Sequence, residues 1–106
     1  MRSVHWTQEA LARLDELHAY IAADDPAAAD AMVERLLNRV RRLPDQPHSG
    51  RAVPDYRFAD LREVLERPFR VIYRITAERI EVVTIKHYRQ RLPHHRELPG
   101  GPSHKD

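Results

Sequence analysis

The sequence of 106 residues contains no cysteine and only three glycines. Without cysteine, the chain forms neither disulfides nor thiolate metal sites, and no glycine-rich phosphate loop is present. No apolar run is long enough to span a membrane, and the first six residues are too short and too polar for a signal peptide. We therefore expect a soluble cytoplasmic protein that binds no membrane, no metal and no cofactor.

The charges are nearly balanced over the whole chain, but they are unevenly distributed along it. The formal net charge is +2, whereas residues 57–91 contain nine basic and five acidic residues and carry +4. Sixteen of the eighteen basic residues are arginine, whose side chain suits the recognition of phosphate and carboxylate groups. A solvated charged face without a binding function explains such a run equally well. At this length we expect one domain with a modest core.

Three consecutive strands are predicted in the second half of the chain, over 61–66, 69–75 and 79–87. These runs alternate at period two or are rich in β-branched residues, and short turns at 67–68 and 76–78 separate them. In the middle strand, alternation puts one apolar set on one face and a mixed set on the other. The first set is Phe69, Val71, Tyr73 and Ile75; the second is Arg70, Ile72 and Arg74.

Two amphipathic helices are predicted in the first half, after a short strand at residues 2–6. Thr7 is placed as the N-cap of the first helix, and Asp25 followed by Pro26 is a strong start signal for the second. The connection is short, so the helices form an antiparallel hairpin. The helix residues expected to pack on Val71, Tyr73 and Val83 of the sheet are Leu14, Leu17, Ile21, Leu36, Leu37 and Val40.

The element order is therefore β-α-α-β-β-β, which is an α+β fold with a helical hairpin packed on one face of a small antiparallel sheet. Residues 44–60 are rich in proline and small polar residues and are predicted to form a loop. We place one domain at residues 1–93 and a flexible tail at 94–106, where proline and glycine accumulate.

Three segments resemble the RelE/ParE superfamily of toxins from bacterial type II toxin–antitoxin modules. They are Leu61-Arg62, the run FRVIYRI over 69–75, and IKHYR over 85–89, and together with the helical hairpin the resemblance covers residues 2–93. It implies a compact toxin that arrests growth. It also implies that a cognate antitoxin wraps around the toxin and neutralises it in a hetero-oligomeric complex.

The superfamily resemblance leaves two modes of action open. RelE-like members cut mRNA on the ribosome without metal, and this alternative implies Arg70 and Arg89 as phosphate-holding cations and His95 as the acid/base. However, the second-strand lysines and the C-terminal tyrosine of that branch are missing here. The departures favour the ParE-like branch, which blocks DNA gyrase and in which no side chain is expected to be catalytic.

For a ParE-like toxin, we expect target binding by a partly basic surface formed by Arg62, Arg70, Lys86 and Arg89. Two other interpretations stay open. Arg70 and Arg74 instead solubilise an open sheet face and pair with Glu63, Glu66 or Glu81 on neighbouring strands. A homologue that has lost its toxicity would have the same pattern.

Overall fold

Two helices pack on one face of a five-stranded sheet in the computed structural model, which describes residues 2–54 and 60–88. This arrangement confirms the predicted α+β class. No helix in these residues is long and apolar enough to cross a membrane. In chain order the elements are β1 (Ser3–Trp6), α1 (Gln8–Ala22), α2 (Pro26–Arg41), β2 (Arg51–Ala52), β3 (Leu61–Glu66), β4 (Phe69–Ile75) and β5 (Arg79–His87).

The sheet is mixed, whereas the sequence predicted a purely antiparallel one. The strand order is β1-β5-β4-β3-β2, and β1 runs parallel to β5, with Val4 opposite Ile80 and Trp6 opposite Val82. A parallel pair needs a long crossover connection, and the helical hairpin is part of the chain that joins these two strands. The two-residue strand β2, which lies inside the predicted loop, pairs antiparallel with β3.

Both predicted helix starts are confirmed by their capping bonds. The Thr7 hydroxyl accepts a hydrogen bond from the Ala10 amide at 3.0 Å and donates one to the Val83 carbonyl at 2.8 Å. The Asp25 carboxylate accepts from the Ala28 amide at 3.1 Å. Capping satisfies amides that have no partner within the helix, and the second bond of Thr7 also fixes the start of α1 on β5.

The main core lies between the helices and the sheet. The predicted members Leu14 and Ile21 pack against this core, whereas Leu37 is only partly buried and lies outside it. Val83 was also placed wrongly, because a register shift opposite Ile72 and Tyr73 changes the alternation along β5. The buried members of this core are Ala10, Leu17, Met32, Leu36, Val40, Leu43, Val64, Val71, Tyr73, Ile80, Val82 and Ile85.

The second face of the sheet is also largely buried. A smaller apolar cluster contains Val53, Leu61, Ile72 and Val83. Arg70 and Arg74, which share a strand with Ile72, are only 5% and 6% exposed. The interpretation of this face as an open surface solubilised by arginine is therefore wrong.

Candidate functional site

Three neighbouring strands are joined by the carboxylate of Glu63, whose side chain is fully buried on β3. The Arg70 guanidinium on β4 lies against one carboxylate oxygen, with Nη2 at 2.7 Å and Nε at 2.8 Å. The Arg51 Nε on β2 donates to the other oxygen. The buried charge is thus paired on both oxygens, as a buried carboxylate requires. The predicted pairing of Arg70 with Glu63 is confirmed.

A second polar contact fixes the loop before β2 on the sheet. The Tyr73 hydroxyl donates a hydrogen bond to the Pro47 carbonyl at 2.6 Å and accepts one from the Gly50 amide at 3.0 Å. Burial raises the pKa of the Tyr73 phenol, and the Gly50 amide and the charges of Arg62 and Arg39 oppose that rise. Tyr73 therefore acts both as a core residue and as the anchor of residues 47–50.

Gly50 fits this contact because it has no side chain. A Cβ atom at this position would lie 2.6 Å from both the Glu63 carbonyl oxygen and the Tyr73 hydroxyl oxygen. Such distances are far inside van der Waals contact, so the loop approaches β3 and β4 this closely only with glycine at this position.

Three of the four residues predicted to bind the target are described, and Arg62 lies on a different face of the sheet from Arg70. Arg62 lies opposite Tyr73 on the helix-facing side of the sheet, where its Nη1 donates to the Gly50 carbonyl at 2.9 Å. Arg70 lies on the other face, and Lys86 is its cross-strand partner on β5. Arg89 and the alternative acid/base His95 lie outside the described residues.

An open groove of roughly 500 Å³ lies between α1 and the ends of β4 and β5. Tyr20, which is 84% exposed, projects at this surface from α1. Grooves with apolar walls and a few charged groups are suited to binding a partner segment. The groove is lined by Arg13, Glu16, Leu17, Tyr20, Phe69, Ile85, Lys86 and His87.

Only one of the three residues implied for the catalytic alternative, Arg70, lies within the described residues. In the part of the chain that the structure describes, no group of three or more histidine and acidic side chains is arranged to hold a metal ion. Arg70, the one predicted phosphate-holding cation within the described residues, is paired with Glu63.

Comparison with known proteins identifies the family of the chain. The family described as "ParE toxin of type II toxin-antitoxin system, parDE" matches residues 4–92. The chain belongs to the ParE toxin family. The predicted superfamily and the preferred ParE-like branch are both confirmed. The protein is a toxin of the type II toxin–antitoxin class.

Two individual matches support the assignment to the ParE family. A relative from Sinorhizobium fredii (strain NBRC 101917 / NGR234), named "Putative toxin Y4kP", is 38% identical over 94 residues, which cover 87% of this chain and 94% of the relative. A chain from the "Chromosomal ParDE TA system from P. aeruginosa" superposes with a TM-score of 0.68 at 28% identity. That match covers 82% of this chain and 96% of the other.

Proposed function

We propose that this ParE-family toxin arrests growth in the cytoplasm by inhibiting DNA gyrase and that a cognate antitoxin neutralises it. Membership of the ParE family, with a match over residues 4–92, supports an antitoxin partner, as does the likeness to a chain of a ParDE system. The proposal of gyrase as the target rests on the ParE-like branch. The sequence favours that branch because the lysines and the tyrosine of the nuclease branch are missing.

The observation that carries the choice of gyrase over mRNA is the burial of Arg70. Metal-free RNA cleavage needs a cation that faces the scissile phosphate and stabilises the charge of the transition state. Arg70 is 5% exposed, and its guanidinium lies against the buried Glu63 carboxylate. A cation that is enclosed and already neutralised is poorly placed for that role. Inhibition by binding needs only a complementary surface.

For the antitoxin we propose a site in the groove between α1 and the ends of β4 and β5. Leu17, Phe69 and Ile85 give the groove an apolar floor, while Tyr20 stands exposed beside them. Aromatic side chains of this kind are common anchors of protein interfaces. A segment of the antitoxin that is apolar on one side fits this surface.

Purified toxin and purified gyrase provide the test of the target. We expect dose-dependent inhibition of supercoiling and no cleavage of mRNA on ribosomes. Lys86→Ala is expected to weaken inhibition because Lys86 is a partly exposed cation and one of the residues predicted to bind the target, whereas Arg79→Ala, which removes an exposed cation at the start of β5, serves as the matched control. Codon-position-specific mRNA cleavage that His95→Ala abolishes would instead assign the toxin to the nuclease branch.

The antitoxin site is tested by co-expression with the protein encoded beside the toxin, followed by size-exclusion chromatography. We expect a stable complex that Tyr20→Glu weakens, because this change places a charge beside the apolar groove. Ala27→Glu adds the same charge at an exposed position on α2 and is expected to leave the complex intact. A toxin that elutes alone beside its genomic neighbour contradicts the proposal.

A further inference from the structure

The sign of the charge along the first half of the chain changes within α2. Residues 1–34 contain two arginines and seven acidic residues, a net charge of −5, whereas residues 35–52 contain five arginines and one aspartate, a net charge of +4. The second segment includes the C-terminal half of α2, the turn after it and β2. The positive charge is therefore concentrated where α2 leads into the loop anchored by Tyr73.

Arg62 is held at this place by the loop and is partly exposed. Its Nη1 donates to the Gly50 carbonyl at 2.9 Å. No carboxylate of the described chain lies within ion-pair distance of Arg62. The guanidinium is thus positioned and charged, without an acid that neutralises it.

Arg39 and Arg42 extend this positive charge along the end of α2. The charge of Arg39, like that of Arg62, opposes the rise in the pKa of the Tyr73 phenol. Arg42 is the exposed C-cap of the helix. Neither arginine has an ion-pair partner in the residues that the structure describes. By contrast, Arg35 pairs with Glu66 and Arg79 pairs with Glu81.

We propose that this basic edge, formed by Arg39, Arg42 and Arg62, binds the phosphodiester backbone of a nucleic acid. Guanidinium groups bind phosphate oxygens through paired N–H donors, and three unneutralised arginines in one region provide a track for consecutive phosphates. This site is separate from the groove beside α1 and does not depend on which target the toxin inhibits.

The surroundings of the basic edge favour a nucleic acid over an acidic protein segment. Protein interfaces depend on buried apolar anchors, but the large exposed apolar side chains of the described chain are Leu11, Tyr20 and Tyr88, and none belongs to this edge. Its exposed neighbours His48 and Ser49 are polar. Nucleic-acid interfaces are polar and positively charged, which matches this composition.

The test measures binding of the purified toxin, without gyrase or antitoxin, to labelled 20-base-pair duplex DNA and to labelled single-stranded RNA at several salt concentrations. Removing a phosphate contact lowers the slope of log affinity against log salt by about 1. We therefore expect the double variant Arg39→Gln/Arg62→Gln to lower the slope by roughly 2 and to weaken binding. The probe whose binding the double variant weakens more identifies the type of nucleic acid.

The control is the double variant Arg13→Gln/Arg79→Gln, which removes the same charge from two arginines that pair with acids on α1 and β5. We expect its slope to stay near that of the wild type. Should the first variant fail to fold in a thermal melt, Arg42→Gln at the exposed helix cap is expected to lower the slope by about 1. Equal losses of nucleic-acid binding in the test and control variants, or unchanged binding by the test variant, would overturn the proposal. A labelled poly-glutamate peptide serves as an additional probe, and a test variant that loses binding only to this peptide would also overturn it.

Discussion

The Arg70 guanidinium lies 2.7 Å from the Glu63 carboxylate in an ion pair whose side chains are 6% and 0% exposed. Burying a charge is costly unless it is paired, so each residue of this pair depends on the other. The same carboxylate also accepts from Arg51. A contact between two strands therefore also holds the short edge strand β2.

We predict that Glu63→Ala lowers the free energy of unfolding by about 3–5 kcal/mol, because it leaves the buried Arg70 without its carboxylate. The double change Glu63→Leu/Arg70→Leu is expected to recover much of this loss, since apolar residues often replace a buried pair at little cost. Urea unfolding measures both. Glu66→Ala, which breaks the more exposed pair with Arg35, is the control and is expected to cost less than about 1 kcal/mol. A similar cost for Glu63→Ala and Glu66→Ala would contradict this account.

The apolar core gives a second prediction. Leu36 on α2 is fully buried between the helices and the sheet, whereas Leu11 on α1 is 47% exposed. Leu36→Ala is therefore expected to lower the free energy of unfolding by about 2–5 kcal/mol. Leu11→Ala deletes the same atoms at an exposed site and should cost much less. A thermal melt that Leu36→Ala leaves unchanged would show that the core lies elsewhere.

The anchoring role of Tyr73 gives a third prediction. Tyr73→Phe keeps the ring in the core but leaves the Pro47 carbonyl and the Gly50 amide without their hydroxyl partner. An unsatisfied buried polar group costs about 1–3 kcal/mol, and the loss should be local. We expect faster amide hydrogen exchange in residues 47–52 than in the wild type. Tyr20→Phe removes an exposed hydroxyl and is expected to leave amide exchange unchanged. A uniform loss of protection over the whole sheet in Tyr73→Phe would argue against a local anchor.

The two helices and the strands β1, β3, β4 and β5 were predictable from local signals, whereas the two-residue strand β2 was not. Period-two alternation in 69–75 and the capping residues Thr7 and Asp25 depend only on neighbours in sequence. The parallel pairing of β1 with β5 was not predictable in this way, since it depends on how a hairpin of two helices returns the chain to the sheet. Val83 was misplaced for a related reason: a bulge shifts the alternation, and the sequence has no glycine there to indicate it.

The candidate site was only partly predictable. Alternation put Arg70 opposite the apolar face, and Glu63 was among its proposed partners, but whether that face is open or covered depends on distant residues such as Val53. The contact of Tyr73 with residues 47–50 joins positions more than twenty apart in sequence. Gly50 was the one available signal, because an isolated glycine in a loop often marks a close backbone approach.

The last prediction concerns alkaline pH. Burial raises the pKa of the Tyr73 phenol above its ordinary value of 10.0, so the folded state retains the phenolic proton at a pH at which the unfolded chain has begun to lose it. Stability that depends on the neutral phenol is therefore fully present below pH 10 and decreases as the pH rises from there through the folded-state pKa. We expect the stability difference between wild type and Tyr73→Phe, measured by urea unfolding between pH 8 and 11, to shrink above pH 10. Tyr20→Phe, which removes an exposed hydroxyl, is the control variant. A constant difference for Tyr73→Phe would show that the phenol titrates alike in the folded and unfolded chain.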